Sequence, residues 1–280
     1  MSWSTRGQRN VLACIHLALL AIVNACAAVK PPDKLSGPDV VQIQPVPMPG
    51  ARMPTGPIQA TFKLPAGKGP FPAVIVLHGC SGWGERTLLW GDRLNSWGYA
   101  ALLPDSWTPR GINSICASGE SVTPGDRMGD LASAVVWLRT QPAIDPNAIA
   151  VLGTGHGGWT AATALQRRYA DLRLSAAVDY HGLCPGPGEY GGTPFLALLG
   201  EADDWGNPAA VCRAYAAQLP HGAAVEVHTY PGAYHSFDYP STAPLIRAGH
   251  LEKYDKAAAE DSYARVQTFL KSTTGAGARH

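Results

Sequence analysis

Charge is scarce in this sequence. Only 15 % of its 280 residues are Asp, Glu, Lys or Arg and the formal net charge is +1, so there is neither a basic field to attract a phosphate backbone nor an acidic tail. Nucleic acid is therefore not an expected partner. No C-x-x-C spacing occurs among the cysteines, which argues against a zinc site. The glycines of "GTGHGG", Gly153 to Gly158, match neither a Lys-bearing phosphate loop nor a dinucleotide fingerprint with its acidic partner, so no cofactor is expected. No internal repeat or low-complexity array is visible, and the length fits one α/β domain around a single large core.

Long apolar runs are also missing. The one near the N-terminus, "VLACIHLALLAIV", falls short of the roughly 20 residues that a permanent membrane span needs. It follows Arg6 and Arg9 and ends in "NACAA", the pattern of a secretory signal over residues 1–28 with cleavage near Ala25 or Ala28. "VNAC" also resembles a lipoprotein box that would put a lipid anchor on Cys26, although Asn24 stands where a smaller residue is usual. Either reading exports the chain to the periplasm or beyond.

Export gives the remaining cysteines a meaning, because Cys80, Cys116, Cys184 and Cys212 would meet an oxidising compartment. Four cysteines allow three pairings. Cys80 with Cys116 and Cys184 with Cys212 is the favoured one, since a sheet-and-helix fold brings the loops of each pair to the same end of the sheet. Each bridge would stabilise the fold by about 3 to 4 kcal/mol in the chain-entropy view.

Residues 29–57 are proline-rich and read as a linker with one edge strand at Val40 to Gln44. From residue 58 to 272, short apolar runs bounded by Gly, Pro or Asp alternate with longer amphipathic ones. Strands are expected at Ala73 to His78, Tyr99 to Pro104, Ala148 to Gly153, Leu174 to Tyr180, Phe195 to Gly200 and Ala224 to Tyr230. Most are apolar nearly throughout, as parallel strands buried on both faces are. Helices are expected at Arg86 to Trp97, through Met128, Leu131, Val135 and Leu138, and at Gly157 to Tyr169, Asn207 to Gln218 and Ala257 to Leu270. The alternation specifies an α/β fold, a mostly parallel sheet with helices on both faces. Asp105 to Gly125 exceeds ordinary loop length and is a candidate lid or binding loop; residues 273–280 read as a disordered tail.

Three segments carry chemistry. "VLGTGHGGW" has the strand-turn-helix form G-x-Nuc-x-G, in which a nucleophile sits at the apex of a tight turn, yet the apex here is Gly155. An acid and a histidine should follow in that order on later strand ends. "LALLGEADDW" offers Asp203 and Asp204, with Asp203 preferred because Asp204 suits an N-cap for the helix near Asn207. "YPGAYHSFD" offers His235. The glycine-rich "LHGCSGWG" would present backbone N–H groups to developing negative charge, with the N–H of Cys80 and of His156 as the expected oxyanion donors.

Together "VIVLHGCSGWG", "DSWTPRGINSIC", "GTGHGGW", "LLGEADDW" and "YPGAYHSFD" resemble the dienelactone hydrolase family of α/β-hydrolases over roughly residues 60–270. The resemblance implies hydrolysis of small esters or lactones, with the acid on Asp203, the base on His235 and the nucleophile position on Gly155. Exported relatives carry cysteines at positions like the four here, in keeping with the disulfide reading.

Glycine has no heteroatom to attack a carbonyl, so the acyl-enzyme route is closed at that position. Deleting the nucleophile of other triad hydrolases costs about a millionfold in turnover but leaves roughly 10³ to 10⁴ over water. Thr154, Cys80 in a reduced state, or a water activated by His235 are the possible substitutes; the other outcome is a pseudo-hydrolase that binds a small ester, lactone or acid. His181, Arg110 and Trp205 are further candidates for substrate contact, Arg110 through a carboxylate. A metal held by Asp203, Asp204, His181 and His235 is not needed, since acid and base already have a role.

Overall fold

The computed structural model describes residues 39–118, 121–186, 188–240 and 243–275. The leader with Cys26, and residues 276–280 of the expected tail, lie outside the described residues.

An eight-stranded sheet forms the centre, in the order β1-β2-β4-β3-β5-β6-β7-β8. Its strands are β1 Val40–Ile43, β2 Ile58–Lys63, β3 Phe71–Leu77, β4 Ala100–Pro104, β5 Ile144–Thr154, β6 Ala176–Tyr180, β7 Phe195–Gly200 and β8 Val225–Tyr230. β1, β2 and β4 pair antiparallel, and every neighbour from β4 through β3 to β8 pairs parallel. The expected fold class is thus the observed one. The β2 strand, "IQATFK", carries polar residues and escaped the apolar-run pattern that identified its neighbours.

Among the described residues five helices cover the sheet: α1 Glu85–Ser96, α2 Pro124–Arg139, α3 His156–Thr163, α4 Pro208–Ala216 and α5 Lys256–Thr274. Strand residues alternate between two cores, because successive side chains in a strand point to opposite faces. Ile75, Leu77 and Val151 pack with Met128, Leu131 and Val135 of α2 on one face. Val74, Val76 and Leu152 pack with Trp90 and Leu94 of α1 and Val266 and Leu270 of α5 on the other. The start of α2 is fixed by a capping box, in which Thr123 and Asp126 satisfy each other's backbone N–H.

Several expectations are corrected. The third helix stops at Thr163, and a 3-10 segment, Arg167–Leu172, replaces its expected second half. The last helix runs through Thr274, so residues 273 and 274 are not tail. The edge strand expected at Val40 to Gln44 is present as β1, but the rest of the proline-rich stretch does not run free: the Val46 N–H donates to Ser133 Oγ at 2.9 Å and Arg52 pairs with Asp126 at 2.8 Å, so it is laid along α2. A short hairpin, β9 Leu245–Arg247 with β10 His250–Glu252, follows the His235 loop and had no sequence signal beyond its Ala248-Gly249 turn.

Candidate active site

The carboxyl ends of the parallel strands converge on the turn after β5. Gly155 sits there with φ 53° and ψ −118°, between the end of β5 and the first residue of α3. The flanking glycines are forced by close backbone approach. A Cβ on Gly153 would lie 2.0 Å from the Gly157 oxygen, and one on Gly157 would lie 2.0 Å from the Leu77 oxygen. At Gly155 the situation differs. A Cβ there would meet nothing closer than His235 Nε2, at 3.5 Å, an ordinary contact.

His235 lies on the loop after β8, buried, and its Nδ1 stands 2.8 Å from Asp203 Oδ2. A carboxylate only accepts, so His235 Nδ1 carries the proton and Nε2 presents its lone pair toward Gly155. Asp203 is itself pinned, since its Oδ1 accepts the Trp205 N–H at 2.9 Å. Of the two adjacent aspartates, Asp203 points inward. Asp204 is exposed and pairs with His250 at 3.0 Å, so it does not cap α4; the N-cap residue is Asn207, without a side-chain bond.

A cavity of about 480 Å³ opens over the turn. It is lined by Cys80, Gly155, His156, Trp159, Trp205 and His235 among others, with Arg86, Arg247 and Glu252 on its charged side. His156 is the first residue of α3, where backbone N–H groups have no partner within the helix. Trp205 leans on the His235 ring at 4.8 Å and stacks on His250 at 4.8 Å. Cys80 and Cys116 form one disulfide and Cys184 and Cys212 the other. The first bridge ties the "HGC" loop to the long Asp105–Gly125 segment at the cavity wall.

His181 also lines the cavity, but both of its ring nitrogens are engaged. Nδ1 accepts the Gly155 N–H at 3.2 Å and Nε2 donates to Asp238 Oδ1 at 2.9 Å. Burial, and the neighbouring His235, hold His181 below the usual imidazole pKa. It serves the turn's backbone, with no ring nitrogen left for a substrate.

Arg110 is a correction. Its side chain is buried and grips Asp130 with both Nη atoms, at 2.8 and 2.9 Å, so it cannot offer a fork to a substrate carboxylate. The cationic groups at the cavity are instead Arg86 and Arg247, which share Glu252 at 3.6 and 2.6 Å. Thr154 is buried in the strand end, and Cys80 is held as a disulfide.

Residues 58–274 match the family model described as the dienelactone hydrolase family. The chain belongs to that family. Among dienelactone hydrolase relatives, it is 26 % identical over 242 residues to a protein of Methylorubrum extorquens described as a carboxymethylenebutenolidase, covering 78 % of each chain. A solved dienelactone hydrolase structure from Klebsiella pneumoniae aligns with TM-score 0.58 and 21 % identity, over 82 % of this chain and 98 % of that one. A dienelactone hydrolase-like promiscuous phosphotriesterase from metagenomic libraries aligns with TM-score 0.62 and 20 % identity, over 84 % and 98 %. The structural likenesses show the α/β-hydrolase fold, and the family match places the chain in a family of hydrolases.

Sequence reasoning missed Asp238, His78 and Arg127, all buried around this family's turn. Asp238 stands three residues after His235, and only the folded loop directs it to His181. Arg127 lies on α2, whose periodic apolar positions gave no reason to bury a neighbouring arginine.

Proposed function

We propose that the chain is an exported carboxylic-ester or lactone hydrolase framework in which Gly155 occupies the nucleophile position and His235, oriented by Asp203, acts as general base on water. One observation carries this reading: a Cβ at Gly155 would stand 3.5 Å from His235 Nε2. A serine or cysteine there would aim its heteroatom at the imidazole; without it, the same space admits a water that needs polar partners of the kind His235 Nε2 supplies.

The proposed step balances without a covalent intermediate. His235 Nε2 takes a proton from water as the water oxygen bonds to the ester carbonyl carbon. The carbonyl oxygen becomes an oxyanion, accepting from the Cys80 and His156 N–H groups. The C–O bond to the alcohol then breaks, and the leaving oxygen receives the proton from His235. Asp203 keeps the proton on Nδ1 throughout and stabilises the imidazolium.

A second reading is favoured by the glycine itself, which has nothing to acylate: a pseudo-hydrolase that binds a small ester, lactone or acid in the same cavity. A panel of small esters and lactones, assayed on the unaltered chain and on Gly155→Ser side by side, separates them. Slow hydrolysis that His235→Ala abolishes and Cys80→Ser spares supports the water route. Binding without turnover, with hydrolysis appearing only in Gly155→Ser, supports the pseudo-hydrolase.

A further inference from the structure

We infer that Arg127 is the positioning residue of the oxyanion site, fixing from one buried guanidinium both backbone segments that carry the proposed N–H donors. The inference rests on the reading of Cys80 and His156 as those donors.

Arg127 is fully buried on α2. Its Nη1 donates to the His78 carbonyl at 2.9 Å, in the segment that leads into Cys80, and stands 3.2 Å from His156 Nδ1, on the residue that opens α3. Its Nε donates to Ser106 Oγ at 3.2 Å, and its plane lies 4.8 Å over the Trp107 ring. One side chain therefore touches both arms of the site. Arginine is donor-only, so His156 Nδ1 must accept, which puts that imidazole's proton on Nε2 and keeps the ring neutral.

The contact is deepened by His78. Its Nε2 accepts the Ser106 N–H at 3.0 Å, leaving Nδ1 as the donor to the Gly79 carbonyl at 2.9 Å. That carbonyl belongs to the same peptide group as the Cys80 N–H, so donation to its oxygen polarises the proposed donor. Arg127 holds His78 and Ser106 together at this point.

A purely structural role explains the placement poorly. Burying a guanidinium is costly unless it is paired. Yet among the described residues no carboxylate pairs directly with Arg127; Asp130 and Asp105 favour its charge only from beyond ion-pair distance, and Asp130 is gripped by Arg110. A cation set behind two amides that face a cavity attracts negative charge developing there, in surroundings where such attraction is strong. Lysine could not replace it fully, since a point charge cannot serve three acceptors in a fixed fork.

Two measurements test the inference. In the unaltered chain, butyrate should shift the backbone amide signals of Cys80 and His156, and Arg127→Met should weaken that binding at least fivefold. In a Gly155→Ser background, Arg127→Met should lower kcat for p-nitrophenyl acetate about 10²-fold, the scale of one lost oxyanion donor, with KM moving less than about threefold. Arg127→Lys, which keeps the charge should the methionine variant not fold, should lose about tenfold in kcat. A folded variant that retains kcat within twofold, or binds butyrate as the parent does, overturns the inference. So does butyrate that moves neither amide. If neither the unaltered chain nor Gly155→Ser hydrolyses an ester, the hydrolase reading fails, and the butyrate titration still decides the role of Arg127.

Discussion

Asp238 and His181 form a second buried carboxylate-imidazole pair, 2.9 Å apart, directly behind Asp203 and His235; the two imidazole rings stand 4.5 Å from one another. The second pair ends on the Gly155 N–H, so it ties the loop that carries His235 and Asp238 to the turn at Gly155. Burial by itself would raise the Asp238 pKa, but the hydrogen bond from His181, with Arg86 and Trp90 adding to it, brings it down from 3.8 to about 2. A depressed carboxylate pKa contributes stability that is present above pH 4 and lost as pH falls through 2. Asp238→Asn should therefore destabilise the fold on the order of 2 kcal/mol at neutral pH, and the gap to the parent should close near pH 2. Urea unfolding at pH 7 and pH 3 checks this; an undiminished gap at pH 3 would contradict it.

His156 titrates in the opposite chemical sense with the same acid-side consequence. Burial, then the charge of Arg127, lowers its pKa from 6.5 to about 3. His78 is lowered as well, first by burial and then by Arg127. Unfolding lets both imidazoles bind protons that the folded state refuses, so stability should fall as pH drops below 6.5. Thermal melts between pH 5 and 8 should show Tm declining toward acid, with a shallower slope in His156→Gln.

Gly155→Ser should be tolerated. The new Cβ makes an ordinary 3.5 Å contact, while φ 53° strains an L-residue by about 1 to 3 kcal/mol. The expected outcome is a modest loss of stability with gained ester hydrolysis and labelling by a serine-directed phosphonate. Absence of both labelling and turnover in a folded variant would indicate that His235 does not serve the new hydroxyl.

Gly153→Ala is the contrasting case. Its Cβ would sit 2.0 Å from the Gly157 oxygen, against backbone that cannot swing aside. Loss should exceed about 4 kcal/mol, the range reserved for severe core damage. A soluble, cooperatively folded Gly153→Ala protein would show that the turn is looser than described.

In the Gly155→Ser background, Asp203→Asn should cost about 10⁴ in kcat by favouring the wrong His235 tautomer. Asp204→Asn should leave kcat unchanged, because Asp204 faces solvent and meets His250. Equal effects of the two substitutions would mean that Asp203 alone does not orient His235.

The strand-turn-helix at Val151 to Trp159, the order of Asp203 and His235 after later strands, and the alternation of buried strands with helices were all legible in the chain, because each is a local pattern of apolar runs and turn residues. So was the glycine at the apex. What local pattern cannot carry is a side chain's partner far along the chain. Arg110 looked free on its loop until Asp130, twenty residues on, took both arms of its fork. Asp204 looked like a cap until the β9–β10 hairpin brought His250 to it. Arg127, His78, Asp238 and His181 acquired their places only when tertiary packing removed water from around them, since a buried polar group must find its partner wherever the fold provides one.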